Sequence, residues 1–294
     1  SDIEQGGEDA ARRYATQLDG YDGPIVLSAD AIAEACARVP QGLRDDITFA
    51  RDNVRSFAEM QKQSVQDTHT EVVPGLIAGQ KAIPCNAAGC YIPGGRYSHV
   101  ASAIMTVTTA KVAGVRHITA CSPPRPDVGL PPAIIFAAHL CGADSILAMG
   151  GVQGIAAMTF GLFGLPRADI LAGPGNQYVA EAKRILYGRV GIDMVAGPTD
   201  SLILADATAD PHIVATDLVS QAEHGYNSPV WLVTDNRALA QDVARRVPAL
   251  IATLPALNRE NAEAAWRDYA EIILCDDRED MAACSDAYAP EHLT

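Results

Sequence analysis

Short apolar segments alternate with segments of helical periodicity from about residue 89 onward, and this alternation constrains the fold more than any other feature. Residues 115–121, 145–149 and 230–234 are apolar runs of strand length, whereas residues 131–141 and 211–222 have helical spacing. Strands buried on both faces read as continuous apolar runs, and each crossover to a neighbouring parallel strand needs a helix. We therefore predict an α/β fold built on parallel sheets, in two units that meet near Gly197-Pro198.

The N-terminal part has a different character. The first 70 residues are predicted to be mainly helical, with Ser28 as the N-cap of one helix and residues 40–66 as one long helical segment. Residues 71–84 carry β-branched side chains around an Ala-Gly-Gln-Lys turn at 78–81, which predicts a hairpin.

Composition excludes several classes of protein. The 294 residues carry a net charge of −14, which argues against binding to nucleic acid because such binding needs a basic surface. No run of about 18 apolar residues predicts a membrane span, and the first residues lack the features of a secretory signal. The seven cysteines are odd in number and form no CxxC pair, so we expect no disulfide framework and a cytoplasmic location.

Three glycine-rich turns lie where predicted strands pass into predicted helices, at residues 93–95, 150–154 and 173–176. Glycine lets backbone N–H groups approach a ligand, and a helix N-terminus favours an anion. None of the turns has the G-x-G-x-x-G fingerprint of dinucleotide sites. The alternative is that they are tight turns without a ligand.

Two polar pairs are candidates for chemistry. Gln221 and His224 are three residues apart at the end of a predicted helix, a spacing that suits two ligands of one metal ion. The alternative is that His224 interacts with its own helix C-terminus. Glu291 and His292 place a carboxylate beside an imidazole, which suits proton transfer and activation of water, although an exposed polar pair is the alternative.

Seven segments together resemble the histidinol dehydrogenase family, in the same order along nearly the whole chain. They are GCYIPGGR, AKVAGV, GGVQGIAA, GPGNQYVAEAKR, GIDMVAGPTD, DLVSQAEHG and APEHL. The resemblance implies two incomplete Rossmann-like parallel-sheet domains with an N-terminal helical segment. It also implies that residues 1–88 and 198–294 form one domain, that residues 89–197 form an inserted NAD-binding domain, and that the family fold continues beyond Thr294.

The resemblance further implies a function. Family members are intertwined homodimers that use NAD and zinc to oxidise a primary alcohol to a carboxylate in two hydride transfers, through an aldehyde. A non-catalytic nucleotide-binding relative is the remoter alternative. The motif matches imply that Tyr91, Gln153 and Asn176 contact NAD. They also imply that Gln221 and His224 bind zinc, that His292 is the general base, and that Glu291 helps to activate water.

Two departures from the family pattern bear on the substrate. Thr199 stands where biosynthetic members have the serine of GPSE, and residues 96–102 are similar to the sulfopropanediol dehydrogenase branch. That branch oxidises (R)-2,3-dihydroxypropane-1-sulfonate to sulfolactate. We therefore expect the sulfonate rather than L-histidinol as substrate, with Thr199 and Arg96 in its pocket. A guanidinium such as that of Arg96 suits an oxyanion, although a solvated loop arginine is the alternative.

Overall fold

A computed structural model describes residues 2–94, 99–126, 128–194 and 199–294, and these residues form eleven α-helices and eleven strands. The helices are α1 (Asp2–Tyr14), α2 (Ala29–Ala37), α3 (Gln41–Lys62), α4 (Val100–Ala113), α5 (Pro132–Cys141), α6 (Gly151–Phe160), α7 (Gln177–Leu186), α8 (Pro211–Ala222), α9 (Arg237–Ile251), α10 (Ala256–Asp268) and α11 (Arg278–Tyr288). The strands are β1 (Thr68–Val73), β2 (Leu76–Gln80), β3 (Ala87–Tyr91), β4 (His117–Ser122), β5 (Ser145–Ala148), β6 (Ile170–Ala172), β7 (Gly191–Ile192), β8 (Ser201–Leu204), β9 (Val230–Thr234), β10 (Glu271–Leu274) and β11 (His292–Leu293).

The chain divides into two compact units, residues 1–196 and 197–294. The first unit has a five-stranded parallel sheet in the order β5-β4-β3-β6-β7, and the second has a four-stranded parallel sheet in the order β10-β9-β8-β11. In both sheets the first strand along the chain is central and the order reverses beside it, as in Rossmann-like folds. The predicted α/β class with incomplete Rossmann-like units is confirmed.

The central strand β3 of the first sheet is buried along its whole length. Its middle residue, Gly89, packs closely: a Cβ atom there would lie 2.7 Å from Leu171 Cδ2 and 2.8 Å from Met158 Sδ. The helices α4 and α5 each end at a glycine of left-handed conformation, Gly114 and Gly142, which turns the chain back into the next strand. These short connections bring the carboxyl ends of the strands to one edge of the sheet.

The N-terminal helices belong to the first unit, in which α1 lies beside α6, α2 beside α5 and α3 beside α4. The side chain of Ser28 accepts a hydrogen bond from Ala31 N–H at 3.2 Å, so the predicted N-cap is confirmed. The assignment of residues 1–88 to one domain with residues 198–294 stays a prediction. Within the described residues, no helix is long and apolar enough to cross a membrane.

The hairpin exists, but the predicted position of its turn is wrong. The chain reverses at Pro74 and Gly75, whereas residues 78–80 belong to β2. Gly75 has a φ of +83°, and its N–H donates to Glu71 Oε1 at 2.7 Å. Because proline presets the first corner of a turn and glycine tolerates positive φ, this pair is the better turn signal. Helix α10 also lies in a stretch to which no helix had been assigned.

Candidate active site

A cavity of about 780 Å³ opens at the carboxyl edge of the first sheet. Its wall contains the ends of β3 and β4 together with the glycine-rich starts of α6 and α7. The strand order reverses between β3 and β6, and ligands of open α/β sheets bind at such a switch point. The volume lies within the range of cofactor pockets. Tyr91, Gln153 and Asn176 all line this cavity, and their role in binding NAD stays a prediction.

Tyr91 is the last residue of β3 and is only 4% exposed. Its phenolic oxygen accepts a hydrogen bond from Gly151 N–H at 3.0 Å, at the start of α6. Burial raises the pKa of Tyr91, so the phenol stays protonated and retains one donor for a ligand.

Gln153 has an amide whose orientation is set by a residue distant in sequence. Its Nε2 donates to Asp19 Oδ2 at 2.9 Å, and the same oxygen accepts from Gly150 N–H at 2.9 Å. A carboxylate only accepts hydrogen bonds, so Nε2 must face Asp19 and Oε1 must face away. That Oε1 has no hydrogen-bond partner within the described residues, nor has the hydroxyl of Ser122, which also lines the cavity. Buried orphan groups of this kind favour a ligand that completes them.

Asn176 acts as the N-cap of α7. Its Oδ1 accepts from the N–H groups of Tyr178 and Val179, each at 3.1 Å. The preceding turn is held by an ion pair between the buried Lys183 and the more exposed Asp193. Lys183 Nζ also donates to the carbonyl oxygen of Gly173 at 3.1 Å. The glycine-rich turn therefore has a fixed conformation beside the cavity.

The amino edge of the second sheet gathers the other predicted site residues. Ser201 in β8 pairs with Val230 in β9 and with His292 in β11, so all three strands begin at this edge. Gln221 lies in the last turn of α8, and His224 follows two residues after the helix ends. Because α8 runs back from β8 to the start of β9, its C-terminus lies at the same edge.

The side chains of His224, Glu291 and His292 are exposed, and none has a hydrogen-bond partner in the part of the chain that the structure describes. Thr199 is half-buried just before β8, at the same edge. Arg96 lies outside the described residues. The predicted catalytic, metal and substrate roles of these residues stay predictions.

Asp200 is a residue at this edge that the sequence reasoning missed. Its Oδ1 accepts from Glu291 N–H at 2.7 Å, and its carbonyl oxygen accepts from His292 N–H at 3.3 Å. The only sequence signal is its place beside Thr199 in the same motif. Asp19 was missed as well, because nothing near it in sequence points to the glycine-rich turn.

The described residues at this edge supply only some of the ligands that a zinc ion needs. Imidazole nitrogen and amide oxygen are acceptable donors, but zinc sites need three or four protein ligands. Among the described residues, no cluster of three or more His, Cys, Asp and Glu side chains could hold a metal ion. Gln221 and His224 therefore do not complete a zinc site by themselves.

These features define an α/β protein with two Rossmann-like units, one with a cofactor-sized cavity and the other with an exposed imidazole and carboxylate. The family model for histidinol dehydrogenase matches residues 1–294, and the chain belongs to this family. The family is one of dehydrogenases, oxidoreductases that act on CH–OH groups.

The chain is similar to several proteins of this family. It is 71% identical to sulfopropanediol 3-dehydrogenase of Ruegeria pomeroyi, over 100% of this chain and 68% of that protein. It is 63% identical to a histidinol dehydrogenase homolog of the same organism, over 98% of this chain and 66% of that protein. The crystal structure of histidinol dehydrogenase from Elizabethkingia anophelis superposes with a TM-score of 0.92 at 37% identity, covering 99% of this chain and 67% of that one. The chain thus spans about two thirds of the length of these relatives.

Proposed function

We propose that the protein catalyses the NAD-dependent, four-electron oxidation of a sulfonated primary alcohol, (R)-2,3-dihydroxypropane-1-sulfonate, to sulfolactate through an aldehyde. The observation that carries this proposal is the 71% identity to a relative named sulfopropanediol 3-dehydrogenase, against 37% to a solved histidinol dehydrogenase. The test is to incubate the protein with NAD and each of the two alcohols and to measure the formation of NADH by its absorbance. Turnover of histidinol alone would exclude the sulfonate as substrate.

The reaction needs a base in both halves. In the first half His292 takes the hydroxyl proton while the carbinol carbon loses a hydride, which leaves the aldehyde. After the imidazole has released that proton to solvent, Glu291 and His292 remove a proton from the water that adds to the aldehyde in the second half, and the hydrate then loses the second hydride to give the acid. When bound, NAD supplies the acceptor for each hydride. The exposure of both side chains at the amino edge of the second sheet supports their access to substrate and water.

The cavity of the first unit supports a dinucleotide as the cofactor. It lies at the switch point of a Rossmann-type sheet, and two of its lining residues, Gln153 and Ser122, carry buried polar atoms that have no hydrogen-bond partner among the described residues. An acceptor at that place suits a ligand with hydroxyl or amide donors, both of which NAD carries. Direct titration of the protein with NAD tests this assignment apart from catalysis.

Zinc is proposed on the donors of Gln221 and His224, with Thr199 and Arg96 assigned to the substrate. The two zinc donors lie at the edge that also holds the imidazole of His292. The test is the zinc content of the purified protein and of His224→Ala. Equal zinc in both proteins would remove His224 from the site.

A second copy of the chain is the proposed partner, and the cytoplasm the proposed location. The hairpin of β1 and β2 is exposed at every position, including the apolar residues Leu76 (57%) and Ile77 (68%). An isolated two-stranded hairpin is marginally stable, so it needs a partner surface. Light scattering of Leu76→Asp/Ile77→Asp should give a monomer, whereas Ile185→Asp, at another exposed apolar position, should not. The free thiols of all seven cysteines support a reducing compartment.

A further inference from the structure

The cavity at the carboxyl edge of the first sheet contains one basic side chain among its described lining residues, Arg125. We propose that Arg125 binds the pyrophosphate of the dinucleotide. This inference rests on the proposed NAD dependence and adds the residue that neutralises the cofactor's charge.

Side chains of the protein already accept hydrogen bonds from several of the N–H groups at the starts of α6 and α7. Gly150 N–H donates to Asp19 and Gly151 N–H donates to Tyr91. In the first turn of α7, the N–H groups of Tyr178 and Val179 donate hydrogen bonds to the side chain of the N-cap residue, Asn176. Phosphates in Rossmann-like sites usually bind at these helix N-termini. A phosphate that used these four N–H groups would first have to displace a carboxylate, a phenol or a capping amide.

Much of the remaining wall cannot donate a backbone hydrogen bond at all, because proline has no N–H group. The lining prolines number five: Pro93, Pro123, Pro124, Pro126 and Pro131. Three of them surround Arg125 in the segment that follows β4. A side-chain donor is therefore favoured along this part of the wall, and a guanidinium offers two N–H groups in the geometry of a phosphate.

Arg125 is free to serve as that donor. Its side chain is exposed, and it forms no ion pair or hydrogen bond with any described part of the chain. Its backbone is nevertheless anchored: Arg125 N–H donates to the Gly129 carbonyl at 2.9 Å, and Gly129 N–H donates back at 3.0 Å. Asp19 is the one carboxylate among the described lining residues, and it already accepts two hydrogen bonds. Among the described residues, the guanidinium therefore has no ion-pair partner to give up when an anion binds.

The test is direct titration of the protein with NAD, ADP-ribose and adenosine, using the parent, Arg125→Ala and the control Arg116→Ala. Arg116 is an exposed arginine of the same unit that does not line the cavity. We expect Arg125→Ala to raise the Kd of NAD and of ADP-ribose by about tenfold or more. Its Kd for adenosine, which has no phosphate, should equal that of the parent. Arg116→Ala should match the parent for all three ligands.

Salt dependence gives a second readout. Raising the ionic strength should weaken NAD binding to the parent more than to Arg125→Ala, because salt screens the guanidinium–phosphate pair. The inference is overturned if Arg125→Ala and Arg116→Ala bind NAD equally, or if adenosine affinity falls as much as that of ADP-ribose. A parent protein that binds no NAD would overturn the proposed function itself. An Arg125→Ala variant that binds NAD as tightly as the parent would overturn only this inference.

Discussion

The carboxylate of Asp200 accepts a hydrogen bond from the backbone N–H of Glu291 at 2.7 Å, across 91 positions of sequence. Its own carbonyl oxygen accepts from His292 N–H, so a single residue contacts the backbone of both members of the proposed catalytic pair. Strand β11 begins at His292, which lies opposite Ser201 in β8. Asp200 thus positions the backbone from which the carboxylate of Glu291 and the imidazole of His292 project.

Removal of this carboxylate is expected to impair catalysis more than folding. Asp200→Ala deletes the acceptor of Glu291 N–H and should lower kcat by about tenfold or more, because displacement of catalytic groups by about 1 Å is costly. Asp200→Asn keeps an acceptor oxygen and should restore most of the activity. The matched control is Asp206→Asn at the opposite end of β8, which should leave kcat unchanged. Equal kcat values for Asp200→Ala and the parent would contradict the positioning role.

The two halves of the proposed reaction should separate when the catalytic pair is substituted. Glu291→Gln removes the group that helps to activate water, so aldehyde should accumulate and the NADH formed per alcohol should fall below two. His292→Asn removes the base for both halves and should lower kcat by about 10²- to 10⁴-fold. An aldehyde trap and an NADH count measure both effects, with His212→Asn, an exposed histidine of the same unit, as control. Full conversion to the acid by Glu291→Gln would contradict its assignment to the hydration step.

The cavity depends on Asp19 for its shape. Asp19→Ala would leave Gly150 N–H and the amide of the 1% exposed Gln153 without an acceptor. Unsatisfied buried donors cost about 1–3 kcal/mol each, so the free energy of unfolding should fall by about that amount or more. Asp19→Asn retains an acceptor oxygen and should lose much less. Chemical denaturation of the two variants checks the difference, and equal losses would show that charge rather than hydrogen bonding is responsible.

The fold was predictable wherever burial leaves a mark on the sequence. Strands covered on both faces must be apolar, and this made the segments around β4, β5 and β9 recognisable. Helix α10, with the sequence ALNRENAEAAWRD, buries only two alanines and has no apolar periodicity to reveal it. The sequence carries two glycines that could form the hairpin turn, Gly75 and Gly79, and spacing alone does not distinguish them. In the fold, a Cβ at Gly79 would lie 2.5 Å from the carbonyl oxygen of Thr68. Gly79 therefore allows β1 and β2 to pair closely and does not form the turn.

The candidate site was predictable only where residues are adjacent in sequence. Glycine-rich turns after strands indicated the cavity because parallel strands end at one edge of a sheet. The contacts of Asp19 with Gly150 and of Asp200 with Glu291 span 131 and 91 positions, and each joins a side chain to a backbone group. Such contacts leave no spacing or composition signal in a single sequence. They depend on tertiary structure and therefore appear only in the fold.

Asp206 should contribute a pH-dependent part of the stability of the second unit. The hydroxyl and N–H of Thr208 together with the Arg278 guanidinium lower the pKa of this carboxyl below its usual value. A group whose pKa is lower in the folded state stabilises the protein above its unfolded pKa, and that stability is lost as the pH falls through the folded pKa. The parent should therefore be more stable than Asp206→Asn at neutral pH, and the difference should shrink as the pH drops below the normal range of carboxyl groups. Thermal melts of both proteins across that range measure it, and a difference independent of pH would show that the ionised carboxylate is not its source.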